Sequence, residues 1–156
     1  MNKKNTLLLF LCLFCLWAVA QEKKPVKIAC VGNSITYGSG IKNQFQNSYP
    51  GLLSQLLGEG YDVRNFGISA RVMLNKGDHP YMHEQKFRDL LAFQPDIVTI
   101  KLGTNDSKPW NWHYGKDFGK DLTEMLDILQ DLPSKPKIYL CFPVPAVKRN
   151  FGINDS

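Results

Sequence analysis

Two short polar segments of this chain carry the residue types that acyl transfer requires. Gly32-Asn33-Ser34 follows one apolar run, and Gly103-Thr104-Asn105-Asp106 follows another. A serine hydroxyl can attack an acyl carbon once a base removes its proton. An asparagine amide can donate a hydrogen bond to the oxyanion that the attack creates. A third segment, residues 65–70 (NFGISA), offers backbone N–H groups that could serve the same oxyanion.

Each segment by itself also has an ordinary structural interpretation. A serine behind a strand commonly caps a helix or shapes a turn, and Asn-Asp is a common turn pair. The first segment is not a G-x-S-x-G nucleophile elbow, because position 36 is threonine. Neither is it a phosphate loop, because no lysine follows its glycines. The chemical and the structural hypotheses therefore both stay open at this level.

The elements that would position these segments alternate along the chain. Amphipathic segments predict helices from Ser48-Tyr49-Pro50 to Gly58, around Phe87, Leu90 and Leu91 up to Pro95, and from Tyr114 to Pro133. In the first of these, Ser48 is a candidate cap, and Leu52, Leu53, Leu56 and Leu57 form one apolar face. Four apolar runs predict strands at residues 26–31, 61–66, 96–102 and 137–142. This order predicts an α/β fold with a parallel sheet and helices on both faces.

In such a sheet, the carboxyl ends of the strands share one edge, and ligands bind there near the point where the strand order reverses. The two polar segments, residues 65–70 and residues 143–146 all follow predicted strands. We therefore expect them to gather at that edge and to form a site.

In combination, these segments resemble a known family. Residues 28–38 (IACVGNSITYG), 65–70 and 101–106 (KLGTND) are similar to the first three sequence blocks of the SGNH (GDSL-like) hydrolases, in the expected order and spacing. Residues 103–112 (GTNDSKPWNW) and 143–155 (PVPAVKRNFGIND) also resemble a bacterial exported subgroup described as carbohydrate or sialate O-acetylesterases. The resemblance implies a three-layer α/β/α fold of the flavodoxin-like type. It also implies ester hydrolysis through an acyl-enzyme, without a cofactor, on a small-molecule ester such as an acetylated sugar.

The resemblance assigns roles to individual residues. Ser34 becomes the nucleophile, and its own N–H, the side chain of Asn105 and the backbone N–H of Ala70 become oxyanion donors. The family usually has glycine at the position of Ala70, and alanine resists the positive φ that glycine accepts. Asn33 stands where many members have aspartate, and the proposed chemistry needs no carboxylate there.

Three further residues are predicted to contact the substrate. Gly67 lies in the second block, and Trp110 and Trp112 closely follow the third. Apolar aromatic walls are typical of small-ligand pockets. The alternative for the tryptophans is that they pack on the following helix.

The base of the reaction has no candidate in this chain. The family's base is a histidine three residues after an aspartate, and the residues three places before His79, His83 and His113 are lysine, proline and tryptophan. We therefore expect residues 21–156 to be a hydrolase domain that is incomplete at its carboxyl end and lacks its last strand and helix. His79 and His83 are four residues apart, but Pro80 argues against a shared helix, so no metal site is predicted.

The first twenty residues predict a cleaved signal peptide. Lys3 and Lys4 precede an apolar run over residues 7–17, and Ala18-Val19-Ala20 is a small-x-small cleavage site. We expect export to the periplasm or the medium, with no stable membrane insertion after cleavage. Loss of both lysines lowers the formal charge from +5 to +3, which is too small and too dispersed to predict nucleic-acid binding.

The sequence leaves two matters open. Cys30 and Cys141 remain after cleavage, and they are either two buried apolar residues or a disulfide. A general lipase, thioesterase or arylesterase, or an inactive carbohydrate-binding fragment that lacks the base, are alternatives to a carbohydrate acetylesterase.

Overall fold

The sheet of this protein has four parallel strands in the computed structural model, which describes residues 24–143. The strands are β1 (Val26–Gly32), β2 (Tyr61–Gly67), β3 (Ile97–Lys101) and β4 (Lys137–Leu140), in the spatial order β2-β1-β3-β4. The predicted parallel α/β architecture is confirmed. The chain leaves β1 toward β2 on one side and then crosses to β3 on the other, so the strand order reverses between β1 and β3. That reversal is where ligands bind in sheets of this kind.

The helices alternate with the strands as the sequence predicts, and short helices add to them at the strand ends. They are α1 (Ser34–Tyr37), α2 (Gln44–Asn47), α3 (Tyr49–Leu57), α4 (Gln85–Phe93), α5 (Pro109–Trp112) and α6 (Phe118–Gln130), with 3-10 turns at Tyr81–His83 and Gly115–Asp117. The predicted helices correspond to α3, α4 and α6. The last begins at Phe118 instead of Tyr114, because a 3-10 turn precedes it.

The core lies between the sheet and the helices α4 and α6. Val31 of β1 and Ile100 of β3 face this side of the sheet, and they belong to the same buried cluster as the apolar stripes of both helices. The stripes repeat at three- and four-residue spacing, which places them on one face of each helix. Their buried members are Phe87, Leu90, Phe93, Met125 and Leu129. On the opposite face of the sheet, the Tyr49 hydroxyl of α3 lies 2.8 Å from the Thr99 hydroxyl of β3. Helices therefore cover both faces, which gives the three layers.

Helix α3 differs from its prediction in two ways. Leu52 is 46% exposed and Leu56 is 84% exposed, so the predicted apolar face is only partly covered. The reason is that β2 is the edge of the described sheet, and the outer flank of α3 has no strand beneath it. Ser48 stands at the cap position, but its side chain accepts no hydrogen bond from the helix. Ser48 is therefore the N-cap residue, as predicted, but it lacks the side-chain hydrogen bond of a typical cap. Ser48 instead packs closely against Gly38.

The two cysteines of the described residues are both free. Cys30 lies on β1, and Cys141 directly follows β4, with β3 between the two strands. Neighbouring strands are roughly 4.8 Å apart, so strands separated by a third are about 9.6 Å apart. A disulfide requires Cα atoms within about 7 Å. The strand order therefore prevents the pairing that the sequence left open.

The predicted signal peptide and the segment 144–156 lie outside the described residues. Among the helices of residues 24–143, none is both long and apolar enough to cross a bilayer.

Candidate active site

The predicted nucleophile lies on a tight turn at the end of β1. Asn33 is 1% exposed, and its side-chain oxygen accepts a hydrogen bond of 3.0 Å from the Ile35 N–H, which caps α1. Ser34 is the first residue of that helix and is half-buried. Gly32 has to be glycine, since a Cβ there would lie 2.1 Å from Thr36 Oγ1. The close approach of α1 to the strand end thus fixes where the serine stands.

The Ser34 backbone N–H and side-chain hydroxyl have no hydrogen-bond partner among residues 24–143. A free N–H at this position is what an oxyanion donor requires. None of His79, His83 and His113 is hydrogen-bonded to Ser34, and all three side chains are exposed. Within the described part of the chain, the serine therefore has no base in place.

The turn after β2 brings the second predicted donor to the same edge. The Ile68 N–H donates to the Gly32 carbonyl at 3.0 Å, and the Ser69 and Ser39 hydroxyl oxygens are 2.6 Å apart. Ala70 has a φ of 67°, and its N–H has no partner among residues 24–143. The alanine therefore adopts the left-handed conformation that the family usually assigns to glycine. This conformation costs about 1–2 kcal/mol for a residue with a Cβ.

Arg71 holds this strained turn in place. Its guanidinium donates to the Ser69 carbonyl at 3.0 Å and forms an ion pair of 2.8 Å with Glu84. Strained backbone persists where its surroundings determine the conformation strongly. Contacts on both sides of Ala70 meet that condition.

The turn after β3 carries the third predicted donor. Asn105 is 6% exposed, and its Nδ2 donates to the Arg71 carbonyl at 3.1 Å. This hydrogen bond uses one of the two amide hydrogens and places the amide beside the turn that carries Ala70. The second hydrogen remains for a ligand. The structure thus brings the loops of Ser34, Ala70 and Asn105 to one edge of the sheet, at the switch point between β1 and β3.

Asp106 is a structural residue of the site that the sequence analysis did not single out. It is 0% exposed, and its carboxylate accepts hydrogen bonds of 2.8 Å from the N–H groups of both Met73 and Leu74. Burial raises the pKa of Asp106, while these two N–H groups act in the opposite direction. The carboxylate joins the loop after β2 to the loop after β3. The signal that could have found it is its place directly after Asn105, behind a buried strand.

Replacement of Asp106 by alanine is expected to destabilise the fold. The buried N–H groups of Met73 and Leu74 would lose their acceptor, and each unsatisfied group costs about 1–3 kcal/mol. We expect the free energy of unfolding in urea to fall by about 2–4 kcal/mol. Asp127→Ala, which removes an exposed carboxylate from α6, is the matched control and should change it by less than about 0.5 kcal/mol. Equal stability of both variants would contradict the assigned role.

The two tryptophans lie on α5, beside the third loop. Trp110 is 54% exposed, and its indole N–H donates to Asp78 at 3.1 Å. Trp112 is 49% exposed and packs against Phe118, with the ring centroids 6.2 Å apart. Trp112 therefore packs on the following helix, as one alternative from the sequence predicts, whereas Trp110 is held by a hydrogen bond to the loop that contains Asp78. Both rings remain about half exposed. Contact with the substrate stays a prediction for both.

Gly67 has a clear packing reason to be glycine. It is buried, and its N–H donates to the Asn65 side chain at 2.9 Å. A Cβ at this position would lie 2.3 Å from the Tyr37 nitrogen. The residue lets β2 and α1 approach each other, and its predicted contact with the substrate is untested.

Two cavities lie away from these donors. One of about 880 Å³ runs beside β2, and an apolar one of about 190 Å³ lies between β4 and α6. Neither is lined by Ser34, Ala70 or Asn105. Within residues 24–143, no three histidine, cysteine, aspartate or glutamate residues come together as a metal site.

The parallel sheet, the serine at the end of β1 and the amide donors define the class of SGNH-type hydrolases. The sequence model of the GDSL-like Lipase/Acylhydrolase family matches residues 30–156, and the chain belongs to this family. It is 50% identical over 153 residues to an acetylxylan esterase from Xylanibacter ruminicola, and the match covers 87% of this chain and 32% of that protein. The chain thus spans about a third of the length of this relative.

Solved structures share the fold at lower identity. A carbohydrate acetylesterase from Sinorhizobium meliloti is 21% identical with a TM-score of 0.60, over 77% of this chain and 65% of that one. An aryl esterase from M. smegmatis is 23% identical with a TM-score of 0.53, again over 77% and 65%. At this level of identity, the likeness concerns the fold alone.

Proposed function

We propose that this chain belongs to a serine ester hydrolase that removes acetyl groups from a carbohydrate. The observation that carries the proposal is the set of donors at one sheet edge. Ser34 and Ala70 present N–H groups without a partner among residues 24–143, and the Asn105 amide has one hydrogen to spare. Such preorganised donors are the main requirement for stabilising the oxyanion of acyl transfer.

The reaction follows from these positions. Ser34 Oγ attacks the acetyl carbon while a base takes the hydroxyl proton, and the carbonyl oxygen becomes an oxyanion that accepts hydrogen bonds from the three donors. The C–O bond to the sugar then breaks, and the base returns the proton to the leaving sugar oxygen. Water, deprotonated by the same base, attacks the acetyl-serine, which releases acetic acid and restores the Ser34 hydroxyl.

The base in this proposal is a histidine of the family's Asp-x-x-His pattern. None of the histidines in residues 24–143 is hydrogen-bonded to Ser34. Catalytic tests are therefore designed for two proteins, the chain itself and the chain extended by the segment that follows the matching region of the acetylxylan esterase relative. Comparable turnover of nitrophenyl acetate by both would mean that a histidine of this chain acts as the base.

An acetylated polysaccharide is the substrate class with the most support. The 50% identical relative is named an acetylxylan esterase, which favours an acetylated pentose polymer over a sialate. We expect the extended protein to release acetate from acetylated xylan and to hydrolyse butyryl and longer acyl esters much more slowly. Acetate release and nitrophenyl ester hydrolysis, with Ser34→Ala as the blank, measure both. A preference for long acyl chains or thioesters would favour the general lipase or thioesterase alternative. No hydrolysis of any ester would favour a binding fragment.

We also propose that the protein is exported, with its leader removed between Ala20 and Gln21. Ala18-Val19-Ala20 directly follows the apolar run and has the small-x-small pattern of a signal-peptide cleavage site. The intact mass of the protein recovered from the periplasm or medium of an expressing bacterium should start at Gln21. Recovery of a mature form that still carries residues 1–20 would contradict this prediction.

A further inference from the structure

The larger cavity is a groove at the outer edge of the sheet, and the proposed chemistry does not use it. We call it the β2 groove; its lining includes Tyr37, Gln44, Phe45, Asn47 and Gln55, with residues 62–65 of the edge strand β2 along one side. Its volume of about 880 Å³ falls in the range of small-ligand sites. Tyr37 is the last residue of α1, the short helix that Ser34 begins, so Tyr37 connects the groove lining to the segment that carries the proposed nucleophile.

An aromatic side chain stands almost free in this groove. Phe45 is 93% exposed, and Tyr37 at the end of α1 is 39% exposed. A single exposed apolar side chain is common on soluble proteins, but two exposed aromatic residues on the lining of one groove are a feature of binding sites. The face of an aromatic ring is weakly negative, and the C–H bonds on the face of a pyranose ring are weakly positive, so the two stack.

The polar groups of the groove are fixed acceptors. Asn47 Nδ2 donates to the Lys42 carbonyl and Gln55 Nε2 donates to the Gln46 carbonyl, both at 2.8 Å. Gln44 is held in the same way, through a hydrogen bond from its Nε2 to the Tyr37 carbonyl. The side-chain oxygens of Gln44, Asn47 and Gln55 accept no hydrogen bond from residues 24–143. Anchored amides lose little freedom on binding, and their oxygens match ligands that carry many hydroxyl donors.

The charges of the groove do not favour a strongly ionic ligand. Arg64 and Asp62 pair with each other at 2.8 Å, and Lys86 is the remaining charged residue of the lining. A single cation beside one internal ion pair gives no strong field of either sign. Aromatic faces, fixed amide acceptors and a low net charge together fit a neutral, hydroxyl-rich molecule.

We propose that the β2 groove binds the main chain of a neutral polysaccharide and holds the polymer beside Ser34. Sugar rings stack on Phe45 and Tyr37, and sugar hydroxyls donate to the fixed amide oxygens. The inference rests on the proposed function for the identity of the polymer. It adds a binding site that is separate from the oxyanion donors and that needs no acetyl group.

The test measures binding of soluble deacetylated xylan to the mature full chain by affinity electrophoresis and by calorimetry. Xylan in the gel should retard the wild-type protein. Phe45→Ala should raise the Kd by about tenfold, because it removes one aromatic ring on which a sugar stacks. Phe45→Trp should restore binding, because it keeps an aromatic face. Leu56→Ala is the matched control, because Leu56 is 84% exposed but does not line the groove. The Kd of this variant for xylan should stay within about twofold of the wild-type value.

The outcomes separate this inference from the proposed function. Ser34→Ala should bind xylan as the wild type does, because no ester is cleaved in binding. Acetate release by the extended protein without xylan retardation would overturn the proposed binding role of the β2 groove and leave the esterase proposal standing. Equal effects of Phe45→Ala and Leu56→Ala on the Kd would do the same. Xylan retardation that depends on Phe45, together with no ester hydrolysis by the extended protein, would support a binding role for the β2 groove and overturn the esterase proposal. Circular dichroism of both exposed-residue variants checks that they fold.

Discussion

Replacing Ser34 with alanine is expected to abolish ester hydrolysis by the extended protein. The alanine cannot form the acyl-enzyme, and removal of the nucleophile in a well-studied serine hydrolase lowers kcat by a factor on the order of 10⁶. A residual rate of roughly 10³–10⁴ over the uncatalysed reaction can persist where oxyanion donors remain. Nitrophenyl acetate turnover and covalent labelling by a fluorophosphonate probe measure the loss.

The Ser34 test needs a control for general loss of hydroxyl groups. Thr123 lies on α6, on the surface away from the site, and its hydroxyl bonds only the Gly119 carbonyl, at 2.9 Å. Thr123→Ala should leave turnover and labelling within about twofold of the wild type. Undiminished labelling of Ser34→Ala would place the nucleophile on another residue. Labelling lost in both variants would point to misfolding.

Replacing Asn105 with alanine is expected to lower kcat by roughly 10²–10³ with a smaller change in KM. The amide acts on the oxyanion, which exists in the transition state and not in the bound ester, so its loss affects the chemical step most. Steady-state kinetics of the extended protein on nitrophenyl acetate separate the two constants.

Asn105 also has a structural hydrogen bond, so a second variant is required. Its Nδ2 donates to the Arg71 carbonyl at 3.1 Å, and alanine removes this contact as well. Asn105→Asp keeps the shape but replaces the donor with a carboxylate, which accepts hydrogen bonds and repels an oxyanion. It should lose at least as much kcat as the alanine variant. If both variants unfold earlier in urea but keep the wild-type kcat, Asn105 only supports the loop.

The sequence analysis placed the loops of Ser34 and Asn105 at strand ends, as the structure does, because the positions of these loops depend on local patterns. Alternating apolar runs and amphipathic segments mark where strands end, and Ser34 and Asn105 follow such ends. The same patterns could not show that Ser34 begins a short helix, since four residues are too few for a periodic signal. The sequence analysis expected Ala70 to resist a positive φ, and the structure gives this residue a φ of 67°. The hydrogen bond from Arg71 to the Ser69 carbonyl and the contact of Ser69 with Ser39 hold the turn in this conformation.

Strand order explains the larger departures from the sequence-based expectations. Leu52 and Leu56 have the spacing of a buried face, and they are exposed because α3 lies against an edge strand. Cys30 lies on β1 and Cys141 directly follows β4, and the two are apart because β3 lies between those strands. Apolar spacing is a property of one segment, whereas the neighbours of a strand depend on how all strands and helices pack together.

By itself, the sequence determined the class of fold, the order of its elements and the loops that carry Ser34, Ala70 and Asn105, because each depends on residues close together in the chain. The tertiary structure alone decided which distant groups meet. Asp106 reaches the N–H group of Met73, 33 residues away in sequence, and Asn105 reaches the Arg71 carbonyl, 34 residues away. Such contacts form because parallel strands bring separate loops to one edge, where buried polar groups have to find partners. Local periodicity carries no information about which partner each will find.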